Sequence, residues 1–347
     1  MMMPVVMNTN FERLAVIDDY ISFIWSTRYY SCGDFELCVD ISEQNASLLQ
    51  KDYYIVRDDD DNIGIIENLK YVRNEDGHEM IIASGRFLSS ILGRRIISRQ
   101  TQISGSVSNG IYMLLMNEVL NPNNSARKIA NLSFQSDVTS SETINAQFTG
   151  KNLLSVIEDI CLTYGIGFKT TMPESGQFLF ELFEGTDRSY NQNVNPYVVF
   201  SDKFDNLLSS EYEENYQNIV TDVLVAGEGE GLDRKMLWVS NGNPRGLNRY
   251  EMFKDRRDIQ SNNGEISDQE IQAQMAEAGK ECLATITSAF TGTVYFDNLV
   301  YKQDVNIGDI CTIENSRWGL YINSRLVEVI ESVGESGEYS IIPTFGV

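Results

Sequence analysis

The chain has 347 residues, of which 42% are hydrophobic and 22% charged, and a formal net charge of −23. Packed cores are expected, wholesale disorder is not, and the length suggests two or three domains. The acidic balance repels nucleic-acid phosphates and argues against sequence-specific DNA binding, no run of eighteen apolar residues predicts a membrane-spanning helix, and the start MMMPVVMNTNFER has no signal-peptide character.

The first predicted strand carries Leu14, Val16 and Ile17. In the next, Ile21, Phe23 and Trp25 alternate with Ser22, Ile24 and Ser26. Beyond the Cys32-Gly33-Asp34 turn, Phe35, Leu37 and Val39 continue the same period-two pattern. Residues 53–57 and 63–66 flank an acidic tip as a hairpin would. Residues 71–73 and 80–83 pair across Asn74-Glu75-Asp76-Gly77, where Asp-Gly favours a tight turn. In GRFLSSILGRRII (85–97), Phe87, Leu88, Ile91 and Leu92 have the spacing of a short helix ending near Gly93. Ile111, Leu114, Leu115 and Val119 predict a second helix within 105–120, stopped by Asn121-Pro122-Asn123-Asn124. Leu153, Leu154, Ile157, Ile160, Cys161 and Tyr164 form one apolar stripe over 151–164, with Gly165 to end that helix. Strands are expected at 167–171 and 177–183.

Asn195-Pro196 marks a boundary, followed by predicted strands at 198–200, 220–226 and 236–239. Residues 241–264 are polar and show no clean period. Ser267-Asp268-Gln269-Glu270 is a capping box with Ile266 and Ile271 as its staple, opening a helix from 268 to about 283. After a strand at 290–295 comes a meander of 309–313, 320–330 and 338–342, with turns at Asn315-Ser316, Gly319 and Gly334-Glu335-Ser336-Gly337. In its long strand Tyr321, Asn323, Arg325, Val327 and Val329 should share one face, and Leu320, Ile322, Leu326 and Ile330 mostly the other. Such a meander is expected to close a small barrel and remove its sheet edges. The expected fold class is α+β, mainly β. It comprises a first β-barrel domain (1–97), an α+β insert domain (98–195), and a second β-barrel domain (196–240 and 284–347) broken by an insertion with one helix (241–283). Two Gly-Asp turns, Gly33-Asp34 and Gly308-Asp309, precede apolar strands, which is only a faint echo of repetition.

No reactive constellation emerges. The one histidine, His78, sits in a predicted turn, where a solvated ring is expected rather than the buried, oriented base of a nucleophile pair. Five cysteines, at 32, 38, 161, 282 and 311, form no CxxC and suggest reduced, buried thiols. Asp58-Asp59-Asp60-Asp61-Asn62 resembles a calcium loop only briefly. Counted from Asp58, position 12 is Leu69; counted from Asp59 it is Lys70, so a solvated hairpin tip is expected. Gly227-Glu228-Gly229-Glu230-Gly231 carries carboxylates that would repel a phosphate, and Gly150-Lys151 lacks the upstream glycine of a phosphate loop. With fifty acidic residues, sequence spacing cannot single out a glycosidase pair. Arg86, Arg94, Arg95 and Arg99 form a basic cluster, either a helix-end feature or a contact for an acidic partner or neighbouring copy. No catalytic, cofactor or metal residue is therefore assigned.

Five stretches together carry a resemblance: YYSCGDFELCV (29–39), GRFLSSILGRRII (85–97), VVFSDKFDNLLSSEY (198–212), YQNIVTDVLVAG (216–227) and DVNIGDICTIENSRWGL with SRLVEVIES and IIPTFG (304–346). In this order the chain resembles the tail-hub proteins of siphovirus-type bacteriophages. The resemblance implies a homotrimer in which each chain supplies two similar small barrels, adapting a sixfold tail tube to a threefold tip. It implies as partners the tail tube or distal tail protein, the tape measure protein and tail spike or receptor-binding components. It also implies DNA passing through the lumen without sequence-specific binding, and a place in the virion tail after synthesis in the host cytoplasm. No active site or cofactor is implied; enzymatic members carry a C-terminal extension that is not expected here. Residues 23–30 and 318–321 are aromatic-rich candidates for subunit interfaces or for barrel core. A cell-wall hydrolase and a host-carbohydrate-binding module are the alternatives. The symmetry-matching expectation demands two closed sheets that superpose; a single continuous sheet, or two modules that cannot be superposed, would overturn it and the assignment with it.

Overall fold

The computed structural model describes residues 2–204, 206–284, 288–294, 300–335 and 337–346. Tyr295 of one predicted strand, Ser336 of one predicted turn and the final Val347 lie outside these. The first β unit contains β1 (Val5–Met7), β2 (Arg13–Val16), β3 (Tyr20–Arg28), β4 (Asp34–Asp40), α1 (Glu43–Leu48), β5 (Tyr54–Arg57), β6 (Asp60–Ile65), β7 (Asn68–Arg73) and β8 (Glu79–Arg86). The insert has β9 (Thr101–Ser106), α2 (Val107–Leu115), β10 (Leu132–Ser136), β11 (Thr143–Phe148), α3 (Leu153–Tyr164), β12 (Gly167–Glu174) and β13 (Gln177–Phe183). There follow β14 (Val199–Ser201), β15 (Leu207–Glu214), β16 (Asp222–Ala226), β17 (Met236–Ser240), β18 (Glu251–Asp255), α4 (Asp268–Leu283), β19 (Ser288–Val294), β20 (Ile310–Asn315), β21 (Leu320–Val333) and β22 (Tyr339–Gly346). The fold is mainly β with few helices, as the patterning indicates. No helix among the described residues is long and apolar enough to cross a membrane.

In the first unit, sheet β2-β1-β5-β6 lies over the four strands β3-β4-β8-β7. Phe23, Trp25, Phe35, Leu37, Ile55 and Ile81 fill the space between them. The two layers meet where Glu67 N–H donates to the Ser84 carbonyl, and Gly85 makes that approach possible: a Cβ there would sit 1.8 Å from the Ile65 carbonyl oxygen. The second unit curls as β14-β20-β21-β22-β19-β15 around Phe200, Phe290, Ile313, Leu326 and Phe345.

The two units are not separate closed sheets. β21 pairs antiparallel with β3, from Glu328 opposite Arg28 to Val333 opposite Phe23, so one ten-stranded sheet runs through both. β21 is long enough to do this because it continues past the predicted end at 330. A bulge between Leu326 and Glu328 turns its second half over. Val329 therefore faces the core with Leu326, contrary to strict alternation.

β16 and β17, expected within the second barrel, instead form a three-stranded sheet with β18. Their alternation explains why: Val223 and Val225 bury against Ile271, Met275 and Ala278 of α4, making a core distinct from the other unit cores. β18 is parallel to β16 and arises in the polar stretch where no strand was expected. α4 begins at Ser267 with the complete capping box. The short helix near Gly93 is a 3₁₀ segment, Leu88–Arg94, and α2 runs on into a π turn, Met116–Leu120.

Candidate functional site

Eight strands, in the order β15-β19-β22-β21-β3-β4-β8-β7, form one uninterrupted antiparallel surface. Four come from each β unit. Paired residues share a side, so register fixes both faces of this surface. One side faces the two cores through Phe290, Phe345, Val329, Trp25, Leu37 and Ala83. The other carries Glu211 and Glu213 on β15, Ser340 and Thr344 on β22, Glu328 and Ser332 on β21, Ser22 and Arg28 on β3, Glu36 on β4 and Lys70 on β7. Among the described residues this face has hydroxyls, carboxylates and isoleucines, the cations Arg28, Lys70 and Arg86, and the exposed ring of Tyr321 toward the start of β21.

Beneath the β3–β21 seam lies an ionic joint. Arg57 on β5 is fully buried and grips Glu331 of β21 with two bonds of 3.1 Å. Lys302 reaches the same carboxylate at 3.1 Å and Asp60 at 2.7 Å. Trp25 Nε1–H donates to Asp60 at 3.2 Å, and the Tyr339 hydroxyl donates to Glu331 at 2.9 Å. Burial alone would pull the Arg57 guanidinium down, but its bonds to Asp59 and Glu331 outweigh this and hold it further up. Burial also pushes Tyr301 and Tyr339 up, with the neighbouring carboxylates acting in the same direction. The joint thus ties a hairpin of the first unit to a strand and a loop of the second.

A second joint is uncharged at its centre. Tyr29, wholly buried beyond the end of β3, donates its hydroxyl to the Gly165 carbonyl (3.1 Å) and accepts from Gly185 N–H (3.2 Å). Its ring packs flat against Gly308, where φ is +91° and a Cβ would lie 2.3 Å from the ring. The guanidinium of Arg325 covers the ring at 5.1 Å from its centroid. Burial pushes the phenol up to about 12. Next to Gly308, buried Asp309 accepts from Arg188 Nε (2.8 Å) and from the backbone N–H groups of Thr186 and Asn306. Tyr29 therefore joins first unit, insert and second unit by fit.

The residues singled out in the sequence do not converge. His78 is half-exposed in the β7–β8 turn and contacts Asp40. Asp58–Asn62 is a hairpin tip, but it is not uniformly solvated. Asp58 meets Arg13, Asp59 meets Arg57, Asp61 meets Lys169, and Asp60 is buried in the ionic joint. No cluster of metal-ligating side chains occurs among the described residues. Glu228 of the glycine-rich loop is held by Lys235 and Ser261, and Lys151 lies over the Phe148 ring, where burial pulls its ammonium down. The basic cluster is dispersed: Arg86 binds Glu67, Arg94 lies near Asp52, Arg95 donates to the Arg127 carbonyl, and Arg99 lines a small cleft with Asn123 and Arg127. All five cysteines are free thiols; burial, with Glu158 nearby, raises Cys32 to about 12. Of the two aromatic stretches, Phe23, Trp25 and Tyr29 are core, while Trp318 and Tyr321 are exposed.

Sequence reasoning missed Glu331 and β15. Glu331 alternates with Val329 and Val333, so an inward carboxylate was visible in VEVIESV, as was its need for a buried cation. In β15, LLSSEYEE looks too acidic for a strand, yet its Glu-Tyr-Glu alternation is the period-two signal of an edge.

Three solved structures share this fold over nearly the whole of both chains. The 43 kDa tail protein of prophage MuSo2 from Shewanella oneidensis has a TM-score of 0.61 at 12% identity, covering 99% of this chain and 98% of that one. The tail protein from Neisseria meningitidis MC58 has 0.59 at 12%, with 100% and 96% covered. Prophage tail protein gp18 from Listeria monocytogenes EGD-e has 0.55 at 12%, with 99% and 94% covered. At these identities the likeness is one of fold. No curated protein sequence matches the chain. The family model described as Siphovirus ReqiPepy6 Gp37-like protein matches residues 4–347.

Proposed function

The chain belongs to the Siphovirus ReqiPepy6 Gp37-like protein family of siphovirus tail proteins, and we propose that it is the homotrimeric hub at the distal end of a phage or phage-like tail. In this reading it adapts a sixfold tube to a threefold tip and forms part of the DNA passage. The observation that carries it is the shared sheet to which each β unit contributes four strands over its own apolar core. The continuous β3–β21 pairing overturns the version in which two closed barrels stand apart, and the assignment to the tail proteins rests on the family match instead. What supports a doubled unit is the equal division of the sheet and the two cores.

The face opposite the cores fits a DNA wall. Its carboxylates and small hydroxyls repel or ignore phosphates, its arginines Arg28 and Arg86 are paired with Asp34, Glu328 and Glu67, and a net charge of −23 per chain keeps the polymer sliding rather than bound. The proposal includes the division into a first β unit (1–97), an insert (98–195) and a second unit ending at 347. β16, β17, β18 and α4 belong to the insertion in that second unit. Its contacts would be the tail tube or distal tail protein, the tape measure protein and receptor-binding components. The role is non-catalytic, and a peptidoglycan zymogram with purified protein should show no clearing. The deciding experiment is solution mass together with electron microscopy. Trimers viewed as rings with an open centre are expected; a monomer at the highest soluble concentration, or a twofold dimer, rejects the reading.

A further inference from the structure

The small sheet of the insertion, ordered β17-β16-β18, presents a face that the hub role does not use. Val223 and Val225 of β16 bury against α4, so Leu224 between them points the other way. Register sets Trp238 of β17 and Phe253 of β18 beside Leu224, making one apolar row across all three strands. Both rings stay half-exposed, Trp238 at 47% and Phe253 at 55%. Each is steadied by a guanidinium: Arg249 lies 4.9 Å from the Trp238 ring centroid and Arg234 5.8 Å from that of Phe253. The rows on either side are polar. Asp222, Ser240 and Glu251 line one flank, and Asp255 stands on the other. The arginines are all paired: Arg249 with Asp222 and Glu251, Arg234 and Arg257 with Asp255. The face therefore balances three cations with three anions, on a chain whose net charge is −23.

We propose that this face binds an uncharged β-1,4-linked glycan chain, the chemistry of a bacterial cell-wall backbone, with three consecutive sugars over Trp238, Leu224 and Phe253. The inference goes beyond the hub reading and does not depend on the number of copies in the assembly. Neighbouring strands lie about 4.8 Å apart, close to the advance per sugar of an extended β-1,4-linked chain. A glycan laid across the strands thus meets one side chain of the row per sugar. Such a chain turns C–H groups to its flat faces and hydroxyls to its edges. The row offers indole, isobutyl and phenyl surface to the faces, while Asp222, Ser240, Glu251 and Asp255 offer acceptors along the edges. The paired guanidinium groups fix the rings before any ligand arrives, which lowers the cost of ordering them. Charge selects the class of polymer. A phosphate- or carboxylate-bearing chain would find no unpaired arginine on this face and a strongly acidic protein around it. A row three side chains long is also far smaller than the about 800 Å² that each partner buries in a standard protein interface.

The test is titration calorimetry of the full chain with cellohexaose and chitohexaose, the glucose and N-acetylglucosamine forms of such a glycan. Binding should strengthen by at least about tenfold from the disaccharide to the trisaccharide, because only three sugars reach both rings. Trp238→Ala and Phe253→Ala should each weaken hexasaccharide binding by at least about tenfold, and Trp238→Tyr should restore most of it. Tyr321→Ala, which removes an exposed ring elsewhere, should change nothing. Circular dichroism melts verify that each variant folds. A folded wild type that binds neither hexasaccharide at millimolar sugar overturns the proposal, as does binding that both alanine variants leave unchanged. Tighter binding of an anionic polysaccharide than of either hexasaccharide overturns the charge argument and the proposal with it. A fall in light-scattering mass in Trp238→Ala, with no sugar bound by the wild type, assigns the face to a second copy and overturns the glycan. None of these sugar outcomes decides the trimer reading, which the wild-type mass and the electron-microscope view test separately.

Discussion

The two joints that hold the β units together do so by opposite means. Under the seam, Arg57, Glu331, Lys302 and Asp60 form a buried ionic cluster; beyond the end of β3, Tyr29 is a neutral ring pressed on a bare glycine. Buried charges gain little net stability when complete and lose a great deal when one partner goes. A buried ring contributes through area and contact, and no single partner decides its value. Of the two, the ionic joint is suited to specifying how the seam is set, and the tyrosine joint to adding cohesion to the β3–β21 pairing.

That contrast can be broken with substitutions of matched size. Glu331→Ala takes from Arg57 and Lys302 the buried carboxylate they share, leaving them Asp59 and Asp60, and should cost about 3 kcal/mol in chemical denaturation. Tyr29→Ala should cost a similar amount, about 3–5 kcal/mol, through the cavity it leaves. Rescue tells them apart. Adding Arg57→Met to Glu331→Leu removes both buried charges, leaves Lys302 with Asp60, and should recover most of the loss. If the double variant is no better than Glu331→Ala, the cluster is cohesive rather than specifying.

For Tyr29 the partner is a shape. Gly308→Ala alone should destabilise, because its Cβ would collide with the ring at a left-handed backbone position. In a Tyr29→Ala background the collision is gone and only the backbone strain remains. A double-mutant cycle should give a coupling of about 1 kcal/mol or more. Strict additivity would mean that ring and glycine are independent. Tyr29→Phe keeps the ring and loses the bonds to Gly165 and Gly185, a smaller cost of about 1–3 kcal/mol.

Much of this fold was legible because its strands are short and alternate cleanly. Phe23 and Trp25, the Asp-Gly hairpin, the α3 stripe and the Ser267 capping box each express one local rule, and each appears where that rule places it. The β3–β21 seam was not legible. It joins residues some 300 positions apart, and nothing in either strand names the other. The bulge at Leu326 hid the inward turn of Val329 for a related reason, since period-two counting assumes an unbroken ladder. The acidic tip was misjudged at one residue, because composition says that carboxylates seek water and only the fold shows Trp25 and Lys302 waiting for Asp60. β15 escaped because its glutamates lower strand propensity, although an end strand is where charge is tolerated.

The smallest expected effect is the one that separates the joints by pH. Burial would raise the Asp59 carboxyl, but its bond to Arg57 outweighs that and holds it below its ordinary 3.8. A depressed carboxylate contributes stability that is present above 3.8 and is lost as pH falls through the lower folded value. Asp59 is mostly exposed, so screening keeps this contribution small. Tyr29 has the reverse sign: its folded value of about 12 lies above the ordinary 10, so its contribution is complete below pH 10 and disappears as pH climbs through 12. Tyr301 and Tyr339 are also raised, so the ionic joint should weaken in alkali as well, whereas Tyr29 has no acid limb of its own. Unfolding midpoints followed below pH 4 should therefore lose a small part of their slope in Asp59→Asn and none in Tyr29→Phe, the rest of the acid limb belonging to other depressed carboxylates such as Glu67 and Asp255. Above pH 10 Tyr29→Phe should lose part of the wild-type slope. An acid limb that Asp59→Asn leaves unchanged would place the acid-sensitive contact outside the Arg57 cluster.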